Sequence, residues 1–522
     1  MKDKRIYKKI MLISPPGKVY VYPDGTPASR KHSSPPIGLA YIGANLLQHN
    51  YEVEIIDMNV EGYEQEEYRE PFIIYGLSND EIVERVRQSN PDIIGISVLF
   101  SMLIDQVYEL CKALKDVYPE KPIILGGQHP TGTPLEVMGQ SFIDYVLRGE
   151  SDSTFVEFLK ALNGEHSINE VKGLYYKNNG RIENTMSNIK PIKTGNGWEY
   201  YKLKDSGIPR EIDELPYPAW HLLSLEKYWN IDVRTGGGDA VGYRYAVMLS
   251  TRGCPNACYF CTSPLNSGFR SYRKRSIESV IKEIKWLVDT YGVDEIQFVE
   301  DNFYAARTRN KKLLKRIAKE FPDIYFQVTG GAEANALDKE MIDLMAEANF
   351  NKIILAVEAG DQEVQEAKID KKVDISRLPE TVEYLRSKNI EIRALFMMGF
   401  PGETRAQIMK TVDLVRSLGI LDFNLNIVTA FPGTPLYDEC IEKGLFTESS
   451  NYGSLTFSRS NFKVPDITPE ELESIRRTVW LEAFKKKIEN RGTSATTAKK
   501  VWTSVDEFQT YGFRTKPPTR NT

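Results

Sequence analysis

The sequence predicts an α/β protein in two unequal parts. The first is a doubly wound, Rossmann-like sheet, the second a partial (β/α)6 barrel of the TIM type followed by a small C-terminal helical extension. Two observations predict this. Short apolar runs alternate with amphipathic helical stretches in two separate regions. In both regions the runs end in small or turn-forming residues, where open α/β sheets and barrels place their ligands. A loop that packs three cysteines together after the first strand of the second region marks one such end.

Taken in order, Lys9–Ser14 reads as the first strand, and Pro36 opens a helix running to about Asn50 with Leu39, Tyr41, Ile42, Leu46 and Leu47 at helical spacing. Tyr51–Asp57 is the second strand, and Ser78 or Asn79 caps a helix through Arg87. Asp92–Val98 is almost continuously apolar, which suits a central strand covered on both faces. A helix over Leu103–Val117 and strands at Pro122–Leu125 and Tyr145–Leu147 complete a unit assigned to residues 1–165. Residues 166–245 are polar and turn-rich and read as a hairpin and connecting segment, with Gly236-Gly237-Gly238 a turn rather than a phosphate loop.

The second region, 246–460, offers strands at Ala246–Ser250, Glu295–Val299, Tyr325–Val328, Ile353–Val357, Glu391–Met397 and Asn424–Thr429. Ser276 can cap a helix with Ile277, Val280, Ile281, Ile284, Leu287 and Val288 on one face, stopped by Gly292. Residues 461–522 hold one helix, about Thr468–Glu489, and a polar tail from Arg491.

Composition narrows the function. The chain of 522 residues is too long for one core. A net charge of −5 argues against a general nucleic-acid binder. No apolar run reaches the roughly 18 residues that a membrane span requires. Met1–Lys9 lacks the layout of a signal peptide, and three of five cysteines crowd together, unlike a secreted disulfide framework. The expected setting is a reducing cytoplasm, without nucleic-acid or membrane partners. Cys111 and Cys440 lie in apolar helical runs and read as core thiols.

Cys254, Cys258 and Cys261 form C-x3-C-x2-C directly after the Ala246–Ser250 strand. Three thiolates on one loop can each bind one iron of a [4Fe–4S] cube, and no fourth cysteine is near. One iron therefore stays open for a chelating ligand. A structural zinc site would close its shell with a fourth Cys or His.

This spacing, the aromatic Phe260 before the third cysteine and the position after a first barrel strand resemble the radical S-adenosylmethionine (SAM) superfamily. The resemblance implies that the open iron binds SAM, whose reductive cleavage gives a 5′-deoxyadenosyl radical, with Cys254, Cys258 and Cys261 as the catalytic and metal-binding residues. It further assigns Glu300 and Asp301 at the second strand end to the methionine amino group. Glu358 at the fourth falls to the ribose or methionine end, and Gly402, in Gly399-Phe400-Pro401-Gly402-Glu403, to the cofactor site after the fifth.

The N-terminal unit resembles the cobalamin-binding domain that precedes many radical barrels. Ser97 and Ser101 follow the third strand, Gly126 and Gly127 the fourth, and Gly149 and Glu150 the fifth. The resemblance makes these the cofactor-binding positions. The loop 15–35 lacks the D-x-H-x-x-G histidine of many corrinoid proteins, so the expected cobalamin has no protein histidine below cobalt; His129 and His32 are the candidates to substitute for it within the domain.

Tyr75-Gly76-Leu77-Ser78, Pro218-Ala219-Trp220-His221 and Glu226-Lys227-Tyr228 look like the pattern of class B methyltransferases of natural-product pathways, the fosfomycin-pathway C-methyltransferase type in particular. The resemblance implies transfer of a methyl group from methylcobalamin to an unactivated carbon of a small precursor, a phosphonate among the candidates. It also implies an external one-electron donor such as flavodoxin or ferredoxin, and a monomer or weak homo-oligomer. Two alternatives stand beside it: a non-methylating cobalamin radical reaction, such as oxidative cyclisation or ring contraction, and a non-enzymatic corrinoid or redox sensor.

Overall fold

A computed structural model describes residues 6–185, 192–194, 197–199, 208–231, 242–268, 271–369, 371, 373–447 and 451–490. The glycine run 236–238 and the tail from 491 lie outside the described residues.

Apolar runs of four to six residues set the first sheet. Strands β1 (Lys9–Ser14), β3 (Glu52–Asp57), β6 (Ile93–Ser97), β7 (Ile123–Gly126) and β8 (Tyr145–Leu147) lie parallel in the order β3-β1-β6-β7-β8. The order reverses beside β1, which makes the β1/β6 carboxyl end the topological switch point where such sheets bind ligands. Helix Asn79–Ser89 starts in a full capping box, with Ser78 and Glu81 each satisfying the other's backbone N–H.

The sheet does not stop near residue 165. β9 (Leu174–Asn178) and β10 (Arg181–Asn184) form a hairpin that adds antiparallel to β8, pairing Tyr145 with Tyr176. This is the hairpin expected in the connecting stretch, but it belongs to the first sheet. Within the loop 15–35, β2 (Gly17–Tyr20) joins β4 (Glu66–Arg69) and β5 (Phe72–Tyr75) in a small antiparallel sheet. A second hairpin, β11 (Ile192–Thr194) with β12 (Gly197–Glu199), stands apart.

The second sheet contains β13 (Tyr245–Met248), β16 (Glu295–Phe298), β17 (Tyr325–Val328), β18 (Phe350–Glu358), β19 (Glu391–Met398) and β20 (Asp422–Ile427), all parallel and in chain order. These are the six units of a partial barrel, with β13 and β20 at its edges. β14 (Thr251–Gly253) and β15 (Tyr272–Lys274) form a two-stranded ribbon that frames the cysteine loop. Helix Ile277–Tyr291 is capped by Ser276, whose hydroxyl accepts from Ser279 N, and ends at Gly292 in the left-handed conformation. The last described helix is Pro469–Asn490.

The two parts share a core. Ile10, Leu12, Leu39 and Phe155 from the first sheet fall in the same buried cluster as Tyr245, Ile296, Phe326 and Phe396 of the barrel. The segment after 208 helps join them. Tyr228 donates to Asp57 at the end of β3 (2.6 Å), while the Trp229 indole donates to the Tyr245 carbonyl (2.9 Å). Cys111 and Cys440 are fully buried. Among the described residues no helix is long and apolar enough to cross a membrane.

Candidate functional site

The carboxyl ends of the two sheets meet across one cleft of about 290 Å³. From the first sheet it is lined by Ser97, Leu99, Gly126, Gly127, Gly149 and Glu150; from the barrel side Thr251, Arg252, Glu300 and Asp301 reach it. Seven sequence-predicted residues thus come together here: Ser97, Gly126, Gly127, Gly149, Glu150, Glu300 and Asp301.

Gly127 shows why a small residue is required. Its φ is +101°, and a Cβ there would lie 2.7 Å from the Val98 carbonyl oxygen. The chain passes so close to the β6 end that only glycine fits. Leu99, which lines the cleft next to this contact, is 48% exposed. A concave surface with a large apolar side chain left uncovered suits a bulky, largely apolar ligand.

Ser101 differs from the expectation. It does not line the cleft: its hydroxyl is buried and meets Nδ1 of His129 at 3.0 Å. His129 is itself buried, and desolvation pushes its imidazole down to about 4. His32 is pushed down to about 4 as well, first by burial and then by the charges of Arg393 and Arg30. Glu150 has partners that its sequence position does not reveal. It lines the cleft, but its carboxylate accepts from Arg252, Arg273 and Ser267 rather than facing open space. Burial alone would raise Glu150, yet the two guanidinium groups outweigh it and hold the carboxyl below its usual range.

The cysteine loop follows β14. Gly253, at φ +80°, turns the chain where any side chain would strike the Ser271 carbonyl. Asn302 Nδ2 donates to Cys254 Sγ (3.5 Å), and Ser263 N donates to Cys261 Sγ (3.5 Å). Burial raises all three thiols, Cys261 to about 12. N–H donors aimed at sulfur stabilise the thiolates that iron requires. Among the described residues no three metal-ligating side chains are gathered around a single point; a multi-iron cluster spreads its thiolates more widely than one ion does.

Beside the loop lies a group that the sequence reading missed. Lys371 is buried and donates to Glu358 at 2.8 Å, with Cys258 and Glu333 close enough to act on its charge. Burial opposes the ammonium, but Glu358 and Cys258 prevail and its pKa rises. Glu358 has φ 65° and breaks the β18–β19 register, a strained conformation that turns its carboxylate toward Lys371. No motif in the sequence singles out Lys371. Only the fold brings it back across thirteen residues to Glu358.

Glu300 is buried at the β16 end, while Asp301 beside it opens onto the cleft. Glu300 accepts from Ser250 Oγ (2.6 Å), and desolvation pushes its carboxyl up to about 7. Asp301 accepts from Ser263 Oγ (2.7 Å), and desolvation by the surrounding protein raises its carboxyl. Gly402 lies in the turn after β19, at φ 76°, which lets Glu403 fold back to accept from Phe400 N (2.9 Å). Phe400 in turn packs its ring against Tyr259 and Phe260 of the cysteine loop.

This geometry agrees with family models for a B12 binding domain over residues 26–159 and for the radical SAM superfamily over residues 248–415. The chain joins a B12-binding domain to a radical SAM domain. Two methyltransferase relatives match along most of its length. A cytidylyl-2-hydroxyethylphosphonate methyltransferase of Streptomyces wedmorensis is 29% identical over 89% of this chain and 88% of its own. An uncharacterized methyltransferase of Pyrococcus horikoshii is 28% identical over 87% and 88%. Among solved structures, the radical SAM methyltransferase TsrM of Kitasatospora setae, with cobalamin and a [4Fe–4S] cluster bound, superimposes with a TM-score of 0.65 at 15% identity, covering 92% of this chain and 89% of that one. The B12-binding and radical SAM domains of this chain are those of a cobalamin-dependent radical SAM methyltransferase.

Proposed function

We propose that this cobalamin-dependent radical SAM methyltransferase methylates a carbon of a small, anionic, nucleotide-linked precursor of the phosphonate class. The observation that carries the substrate reading is the 29% identity to a cytidylyl-2-hydroxyethylphosphonate methyltransferase, which spans both domains and the segment between them.

The residues present fit the implied cofactors. When bound, the cluster supplies the electron that cleaves SAM, and cobalamin carries the methyl group. Cys254, Cys258 and Cys261 would hold three irons, with Asn302 and Ser263 donating to two of the sulfurs. Ser97, Gly126, Gly127 and Gly149 would receive the corrinoid at the switch point of the first sheet. Glu300 is set to receive an ammonium group. Burial raises its carboxyl to about 7, and a cation would draw it into the ionised form. Lys371 with Glu358 offers a paired cation for a carboxylate, or a paired anion for hydroxyls, next to the cysteine loop. Tyr259, Phe260 and Phe400 form an aromatic layer behind that loop which excludes water. The reductant in this reading is a one-electron donor such as flavodoxin or ferredoxin, and the protein acts as a monomer or weak homo-oligomer.

The test is a substrate comparison under anaerobic, reducing conditions with all cofactors loaded. Cytidylyl-linked 2-hydroxyethylphosphonate is expected to gain one methyl group, and free 2-hydroxyethylphosphonate to turn over at least about tenfold more slowly. Equal turnover of the two would remove the nucleotide from the reading. Deoxyadenosine formation with no methylated product from either would remove the phosphonate.

A further inference from the structure

A buried polar network crosses between the two domains at the cleft. Arg252, two residues before the first cluster cysteine, donates to both oxygens of Asp152, Nη1 to Oδ2 at 2.7 Å and Nη2 to Oδ1 at 3.0 Å. Its Nη1 also reaches Glu150 Oε2 at 3.0 Å. The guanidinium stacks on Tyr41 of helix Ile37–Gln48, 4.6 Å from the ring centre. Arg273 on β15 donates to the same Glu150 oxygen (3.0 Å), and Ser267 Oγ donates to Oε1 (2.9 Å). On the B12-binding side, Asn45 Nδ2 holds the Asp152 carbonyl at 2.7 Å. Past the last cysteine, Thr262 Oγ1 donates to Gln128 Oε1 (2.9 Å), the residue next to Gly127. The cysteine loop is therefore tied to the B12-binding domain at both of its ends.

Stability alone is a poor reason for such a network. A buried ion pair seldom outperforms well-packed apolar side chains, because desolvation offsets most of the attraction. What it does provide is one geometry, since the planar Arg252 fork bonds both Asp152 oxygens in a single orientation. Asp152 and Glu150 lie on the loop after β8, which also contributes Gly149 to the cleft. Arg252 lies on the strand that leads into Cys254. The network thus couples the two loops that face each other across the cleft.

We propose that Arg252, Asp152 and Glu150 are positioning residues that clamp the cluster-binding loop onto the B12-binding domain and so fix the placement of one cofactor relative to the other. The proposal rests on the two-cofactor reading above, but its main test needs no substrate. In the holoenzyme with SAM, amide hydrogen exchange over residues 251–268 is expected to accelerate about tenfold or more in Arg252→Gln and in Asp152→Asn, while iron and cobalamin contents stay at parental levels. Arg252→Lys, which keeps the charge and loses the fork, is expected to fall between. The double variant Arg252→Gln/Asp152→Asn should exchange no faster than the faster single one, because the two act as a unit.

With substrate, methylated product per deoxyadenosine is expected to drop about tenfold in Arg252→Gln, since radical formation and methyl delivery are no longer held in register. Parental exchange together with a parental product ratio in a fully loaded Asp152→Asn enzyme would overturn the proposal. Loss of iron in Arg252→Gln, with Asp152→Asn and Glu150→Gln parental in every readout, would also overturn it, because Arg252 would then serve its own loop alone. If Arg252→Gln does not fold, Asp152→Asn decides. A failed substrate assignment would abolish the product ratio yet leave the exchange result standing.

Discussion

Gly127→Ala is the substitution whose cost follows most directly from the structure. At φ +101° and ψ −173° an alanine enters a backbone region essentially reserved for glycine, at a cost of about 1–3 kcal/mol. Its Cβ would also lie 2.7 and 2.8 Å from the Val98 carbonyl oxygen and carbon, which are backbone atoms at the end of β6 and cannot swing aside. Overpacking of this kind costs about 1–3 kcal/mol. The two terms sum to about 2–6 kcal/mol of folding stability if the loop stays in place. Where the loop instead shifts to relieve them, cobalamin must restore the shape of the cleft, and a cost of about 3 kcal/mol for that, at about 1.4 kcal/mol per tenfold, lowers affinity by roughly a hundredfold. The assay is titration of the purified apoprotein with hydroxocobalamin, followed by absorbance, alongside a thermal melt. Gly126→Ala is the contrast. Its Cβ would meet only the Leu147 carbonyl oxygen, at an ordinary 3.7 Å, so its melt should match the parent. Cobalamin affinity within about twofold of the parent for Gly127→Ala would refute the claim that this contact shapes the corrinoid site.

Other outcomes follow from single groups. Cys258→Ala should retain at most residual iron after reconstitution and form no deoxyadenosine, as read by iron analysis and product mass. Asp57 is buried against Tyr228, and desolvation raises its carboxyl from 3.8 to about 6. The folded form therefore holds its proton longer than the unfolded form, and apoprotein stability should fall by about 3 kcal/mol as pH rises from below 4 to above 6; Asp57→Asn should flatten that slope in melts taken across the range. Ser276→Ala removes the acceptor for Ser279 N at the start of helix Ile277–Tyr291 and should cost about 1 kcal/mol by denaturant unfolding, with cofactor loading unchanged.

The strands and caps were legible because their signals are local. Ile10–Ile13 and Ile93–Ile96 are apolar throughout, and Ser78 and Ser276 are followed by amphipathic helices. The cysteine loop was legible because all its ligands lie within eight residues. What sequence reading missed depends on distance along the chain. Leu174–Asn178 looks like any polar hairpin until Tyr176 pairs with Tyr145. β2 has four residues, too few for a period to register, and needs β5 to complete it. Glu150 was expected to face the corrinoid, since nothing in its neighbourhood reveals Arg252 and Arg273 about a hundred residues away. Lys371 escaped for the same reason, as its role exists only once β18 turns Glu358 toward it.

The central claim is that one chain runs radical formation and methyl transfer together, and the joint product balance tests it most directly. The enzyme would be reconstituted anaerobically with iron, sulfide and cobalamin, then given SAM, a reductant and the cytidylyl-linked phosphonate. 5′-Deoxyadenosine, S-adenosylhomocysteine and product mass would be followed together. Both SAM-derived products should accumulate in near-equal amounts, with substrate gaining one methyl group. Deoxyadenosine without S-adenosylhomocysteine, from an enzyme shown to carry both cofactors, would contradict it.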